Sequence, residues 1–100
     1  DRKLQVPEGG TAGEPIRVQR CHIDTNHHVN NGKYVQMAEE FLPEDFEVGE
    51  LRVEYKKAAV LGDVLTPVYC VNENQVTVTL ADEAGKTYAI VQFEKGVERK

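Results

Sequence analysis

Apolar residues along the 100-residue chain change their period twice, and each change marks a new element. From Ile16 to Ile23 apolar and polar positions alternate, with Ile16, Val18 and Ile23 as the apolar members, which predicts a strand. The period then lengthens. Tyr34, Ala38 and Phe41 fall at i, i+4 and i+7, with Val35 and Leu42 alongside and Met37 nearby, while Gln36, Glu39 and Glu40 form a wet side. This predicts a helix of about 12 residues, roughly 18 Å long, capped by Asn30 or Asn31 and stopped by Pro43. Beyond it the period returns to two. Phe46 to Ala59 alternates through Val48, Leu51, Val53 and Tyr55, against Arg52, Glu54 and Lys56 on the other face. Val64 to Val71 is apolar on both faces, as a central strand is. Gln75 to Ala81 alternates through Val76, Val78 and Leu80, and Thr87 to Phe93 completes the set. Gly62-Asp63, Asn72-Glu73-Asn74 and Asp82 to Gly85 supply the turns.

The predicted order is strand, helix, then four strands in hairpin succession. One helix covers about five strands only if the sheet curls around it, and the wide apolar stripe agrees with a helix held on several sides. The expected architecture is therefore α+β, a curved antiparallel sheet wrapped around one long helix, known as the hotdog fold. Residues 1–14, which include Pro7-Glu8-Gly9-Gly10-Thr11-Ala12-Gly13, have little periodicity and suggest a linker or extended arm. The domain is expected over residues 15–94, with a charged tail over 95–100. The chain opens on Asp1 rather than Met, which suggests either processing or a fragment, and since linkers join two things the expectation is one part of a longer protein.

Composition narrows the function classes. With 40% hydrophobic and 29% charged residues, the chain has the make-up of a soluble globular domain of a size that buries its own core. A net charge of −5, a pI near 5.1 and the lack of any basic stripe argue against nucleic acid as a partner. No apolar run approaches a membrane span, and no signal-peptide pattern is present. The two cysteines, Cys21 and Cys70, sit in strand-like runs and read as reduced, buried thiols of a cytoplasmic protein.

The densest chemistry lies at the mouth of the predicted helix. Asp24-Thr25-Asn26-His27-His28-Val29-Asn30-Asn31 packs a carboxylate, three amides and two imidazoles into eight residues. A helix N-terminus offers unpaired N–H groups and partial positive charge, which suits a developing negative charge on a substrate. The run Arg20 to Tyr34 resembles the D-x-N-x-H-V-N-N-x-x-Y signature of acyl-acyl carrier protein (ACP) thioesterases. Leu51-Arg52-Val53-Glu54-Tyr55-Lys56-Lys57, then Gly62-Asp63, is similar to their next strand and turn, so the resemblance runs from about Ile16 to Phe93. The helix-entry motif is specific; the strand match alone would be weak.

This resemblance implies hydrolysis of fatty acyl thioesters to free acid, terminating chain elongation, on the second of two tandem hotdog domains. Related single-hotdog thioesterases reach the same arrangement by dimerising. The implied partners are therefore an acyl thioester, with acyl carrier protein as its carrier, and a second hotdog in the same chain or in a homodimer. By position, Asp24, Asn26 and His28 are the implied catalytic residues. The family's acidic residue on the following strand falls where Ala58 stands here, and Ala58 can neither bind nor activate water. Glu54, four residues earlier, falls at a different place along the strand, about 13 Å away.

Asp24 suits a general base or a nucleophile, Asn26 can hold the carboxylate or the attacking water, and His28 can move a proton near neutrality. Backbone N–H groups around Asn31 and Gly32 suit the thioester oxygen. Asn31, Gly32 and Tyr34 are thus the expected substrate-binding residues, although for Asn31 and Tyr34 the ordinary roles of cap and core are the favoured ones. The bland alternative makes Asp24, Asn26 and Asn30 an Asx-turn and helix cap with His28 solvated. Lys56-Lys57 reads as a solvated face or a docking patch for an acidic carrier. No cofactor is implied. A metal site built from His22, Asp24, His27 and His28 lacks the usual ligand spacing, since adjacent His27 and His28 point apart. Two further readings follow from Ala58 and from the motif: a silent hotdog half that binds acyl groups or assembles, and a thioesterase acting on acyl-coenzyme A.

Overall fold

A computed structural model describes residues 3–96. The sheet has six strands, all paired antiparallel: β1 (Thr11–Ala12), β2 (Ile16–Arg17), β3 (Val48–Tyr55), β4 (Val64–Val71), β5 (Gln75–Ala81) and β6 (Thr87–Lys95). Their order is β1-β4-β5-β6-β3, with β2 also on β4. One helix, α1 (Asn31–Glu39), lies against the concave face of this curved sheet. The α+β hotdog expected from the pattern is the fold observed, with a two-residue strand, β2, where the sequence suggests a long one, and with part of the expected arm paired to β4 as β1.

The core follows from strand alternation. Val76, Val78 and Leu80 of β5 and Ala89, Val91 and Phe93 of β6 face α1, which contributes Tyr34, Met37 and Ala38. Gly13 sits where a side chain would collide with the Phe41 ring, and its N–H donates to the Pro67 carbonyl, fastening the arm to β4. On the opposite face Gln92 and Thr77 are buried yet satisfied: the Gln92 amide donates to the Thr77 hydroxyl and to the Gln5 carbonyl, both at 3.2 Å. Residues 4–7 thus cross the convex face as a strap. The Leu4 N–H donates to Glu54 Oε1 on β3, and the Cys70 thiol on β4 donates to the Pro7 carbonyl. The charged tail expected over 95–100 lies, from residue 97 on, outside the described residues.

Several expected boundaries shift. The strand predicted over Ile16–Ile23 ends at Arg17. The Gln19 N–H donates to His22 Nδ1, and the chain turns through a 3₁₀ helix at Arg20–His22. That turn leaves Cys21 exposed rather than buried, and Cys70 is half-buried; both thiols are free. Helix α1 has nine residues rather than about 12, so it is about 14 Å long. Along β3 the apolar series does not all reach the core: Val48, Leu51 and Tyr55 are 44–45% exposed. Strand β3 ends the sheet and pairs only with β6 among the described residues, so one side of it has no neighbour.

Candidate active site

The polar cluster folds as a tight hairpin that presents alternate residues to one side. The Asp24 N–H donates to the His28 carbonyl and the His27 N–H to the Asp24 carbonyl, while Ile23 and Val29 close the ladder as a β-bridge. The Asp24 carboxylate accepts the Asn26 N–H at 2.9 Å, an Asx-turn that orients the carboxylate. His27 takes the left-handed conformation, with φ 68°, at the position where such three-residue loops need it. The hairpin is tied down on both sides: the Asn30 N–H donates to the His22 carbonyl and the Val29 N–H to the Ala59 carbonyl.

Helix α1 starts directly after this hairpin. Asn30 is the N-cap, its side-chain oxygen accepting the Gly32 N–H at 2.8 Å. A Cβ at position 32 would stand 3.2 Å from that oxygen, so glycine fits the cap closely. The Lys33 N–H is taken by the Asn30 carbonyl. Asn31 keeps the one first-turn N–H with no protein acceptor among the described residues.

Asp24, Asn26, His28, Asn30, Asn31 and Tyr34 line one cleft of about 500 Å³, closed on the other side by Tyr55, Lys56, Lys57 and Ala58. Five of the six residues named from the sequence therefore reach this cleft. Gly32 does not line it, and its N–H is spent on the cap rather than free for a ligand. Tyr34 is only 2% exposed; its hydroxyl accepts the Ala59 N–H at 2.9 Å, and burial raises its pKa. It braces the wall more than it offers a contact. Tyr55 was not singled out by sequence, because its alternation reads as core and nothing local shows that β3 is a free edge.

The far wall is held by a second network. Tyr88 donates its hydroxyl to Asp63 at 3.1 Å, and the same carboxylate oxygen accepts the Val60 N–H. The Lys56 and Lys57 N–H groups both donate to the Tyr88 carbonyl, and the Lys57 ammonium lies over the Tyr88 ring. Burial, reinforced by the bond to Asp63, pushes the Tyr88 pKa up to about 12. Both lysines have carboxylate partners within the chain: Lys56 pairs with Glu54 at 3.5 Å and Lys57 with Asp82. The bond from Lys57 and the loop N–H groups hold the Asp82 carboxyl below its usual pKa, and the Leu4 N–H does the same for Glu54. Glu54 lies on the convex face, away from the cleft. Among the described residues no three His, Cys, Asp or Glu side chains come together to hold a metal ion.

Residues 8–96 match the family model described as the acyl-ACP thioesterase C-terminal domain. The chain belongs to that family. Among solved structures it is similar to the 12:0-ACP thioesterase from Umbellularia californica, with a TM-score of 0.78 and 24% identity over 93% of this chain and 38% of that one. An acyl-ACP thioesterase from Bacteroides thetaiotaomicron gives a TM-score of 0.73 at 17% identity, covering 91% of this chain and 42% of the other. The smu.793 protein from Streptococcus mutans, bound to acetyl CoA, gives 0.72 at 15% identity, covering 98% and 95%. The chain thus spans well under half of the two acyl-ACP thioesterases and nearly all of the smu.793 protein. No curated protein matches it. At these identities the structural likeness establishes the hotdog fold, while family membership rests on the sequence match. In the described residues no helix is long and apolar enough to cross a membrane.

Proposed function

We propose that this domain hydrolyses fatty acyl thioesters carried on acyl carrier protein, with Asp24, Asn26 and His28 as its catalytic residues. The observation that carries the reading is their convergence on one cleft at the start of α1, in a domain of the acyl-ACP thioesterase family. Asp24 acts as the base that takes a proton from water, or as the nucleophile. The Asx-turn to Asn26 leaves the second carboxylate oxygen free for either task. Attack at the thioester carbon places negative charge on the carbonyl oxygen, to which the Asn31 N–H is free to donate. Collapse breaks the C–S bond, and His28 delivers the proton that the departing sulfur needs. No cofactor enters this scheme. Ala58 lines the cleft without contributing a carboxylate, so among the described residues Asp24 is the only acidic one in its lining.

A second hotdog is the partner we assign to the free side of β3, either from the same longer chain or from a second copy. The exposure of Val48, Leu51 and Tyr55 along that edge supports it. A cytoplasmic setting, where the free thiols of Cys21 and Cys70 persist, fits the same reading. Coenzyme A as the carrier is the competing donor, supported by the likeness to a protein bound to acetyl CoA. The internal pairing of Lys56 and Lys57 weakens the case for a docking patch there.

The test is release of free thiol from acyl-ACP and from the matching acyl-CoA, for the wild type and for Asp24→Asn. The reading expects faster turnover of the carrier-protein substrate and a loss of about a thousandfold or more in Asp24→Asn. Equal turnover by the variant would remove Asp24 from the mechanism, and a preference for the coenzyme A ester would reassign the donor.

A further inference from the structure

Thioester hydrolysis concentrates charge on one oxygen, and such an oxygen is held best by more than one preorganised donor. At the start of α1 the supply is short. The Gly32 N–H is consumed by the Asn30 side chain and the Lys33 N–H by the Asn30 carbonyl, which leaves the Asn31 N–H. The opposite wall of the cleft carries a hydroxyl whose one hydrogen bond is long. Tyr55 is the last residue of β3, paired with Ala89 and turned to the same concave face as Leu51 and Val53. Its ring rests on Tyr34, centroids 5.9 Å apart and tilted by 54°. Tyr34 is itself fixed by the Ala59 N–H. The Tyr55 hydroxyl lies 3.4 Å from the Asn31 carbonyl, well beyond the usual O–H···O separation of about 2.8 Å, so its proton is only loosely engaged. The ring is anchored, the tip is only weakly held, and it stands beside the residue that owns the free N–H. Burial raises the pKa of this phenol, which keeps it a donor at neutral pH.

We propose that the Tyr55 hydroxyl is a catalytic donor, converging with the Asn31 N–H on the thioester carbonyl oxygen. The proposal rests on the thioesterase reading above and adds a residue to it. As water adds to the carbonyl carbon and Asp24 takes its proton, the C=O π electrons move onto oxygen, and Tyr55 and Asn31 hold that charge. When the pair returns, the C–S bond breaks and sulfur leaves as thiol, with the proton that His28 supplies. Tyr55 keeps its own proton throughout.

Tyr55→Phe keeps the ring on Tyr34 and removes only the donor. The expected result is a fall in kcat of about tenfold to a hundredfold, with KM within about twofold and an unchanged thermal midpoint. A second readout needs no turnover: calorimetric binding of an acyl-pantetheine ketone, with CH₂ in place of sulfur, and of the thioether that lacks the carbonyl oxygen. Tyr55→Phe should weaken the ketone about tenfold and leave the thioether unchanged. An unchanged kcat, a loss confined to KM, or equal effects on both analogues would overturn the proposal. If the wild type released no thiol, the hydrolase reading would fail, and the analogue pair would still decide the hydrogen bond from Tyr55.

Discussion

His27 is the one non-glycine residue among those described that adopts a positive φ. Its place is fixed by loop geometry, since a type I turn at Asp24 must be followed by a left-handed residue to return the chain to Val29. The left-handed region costs a side-chain-bearing residue roughly 1–2 kcal/mol, part of which glycine returns through the entropy of its unfolded chain. His27→Gly should therefore stabilise the domain by about 0.5–1 kcal/mol, seen as a thermal midpoint about 3–5 °C higher. A lower midpoint would show that the His27 side chain contributes contacts that outweigh the strain. At this scale the sequence was readable where chemistry is local. Asp24, Asn26 and His28 are alternate residues of one hairpin, so spacing alone brought them to one wall. Gly32 and Tyr34 were harder, because a cap consumed one N–H and a contact 25 residues away claimed the other's hydroxyl.

Elements behave differently from residues because tertiary partners decide where they end. The alternation through Ile16, Val18 and Ile23 is a valid strand pattern, yet the chain leaves the sheet when Gln19 and His22 bond to each other. The long strands were legible because β5 and β6 each bury a complete alternating face and β4 is apolar on both sides. The loop after β3 was not, since its anchor is Tyr88 on β6 through Asp63. That anchor has a pH signature. The Tyr88 hydroxyl titrates near 10 in an unfolded chain and at about 12 in the fold, so folding favours its protonated form. Its contribution is complete below pH 10 and is lost as pH rises from 10 towards 12. Thermal midpoints recorded from pH 8 to 11.5 should fall more steeply for the wild type than for Tyr88→Phe. Parallel curves would mean that the phenol is not held in its protonated form by the fold.

For the whole molecule, the decisive feature is the unequal finish of the two sheet edges. Strand β4 is covered by β1 and β2 and by the arm that crosses the convex face, whereas β3 shows its backbone and Val48, Leu51 and Tyr55 to one side. An exposed edge with apolar side chains favours pairing with another chain. Without a covalently attached second hotdog, the domain should form a dimer through β3, and Leu51→Lys should shift it to monomer in sedimentation velocity at micromolar concentration. A wild-type monomer would remove β3 as a self-association edge; a dimer unchanged by Leu51→Lys would place the interface elsewhere. The sequence indicated a partner only through the linker-like start and the family resemblance, because edge position is a property of the assembled sheet. Tyr55 belongs to both stories, since it closes the cleft and stands on the open edge. The site and the partner surface are therefore adjacent.

The most direct test of the account is steady-state release of free thiol from a medium-to-long acyl thioester, comparing the wild type with His28→Ala at matched folding. The account predicts measurable turnover for the wild type and a collapse of kcat by about a hundredfold or more in the variant, consistent with loss of a proton-transfer group. Equal turnover in the two proteins would contradict it, as the cleft at the start of α1 would then not be where the thioester is cleaved.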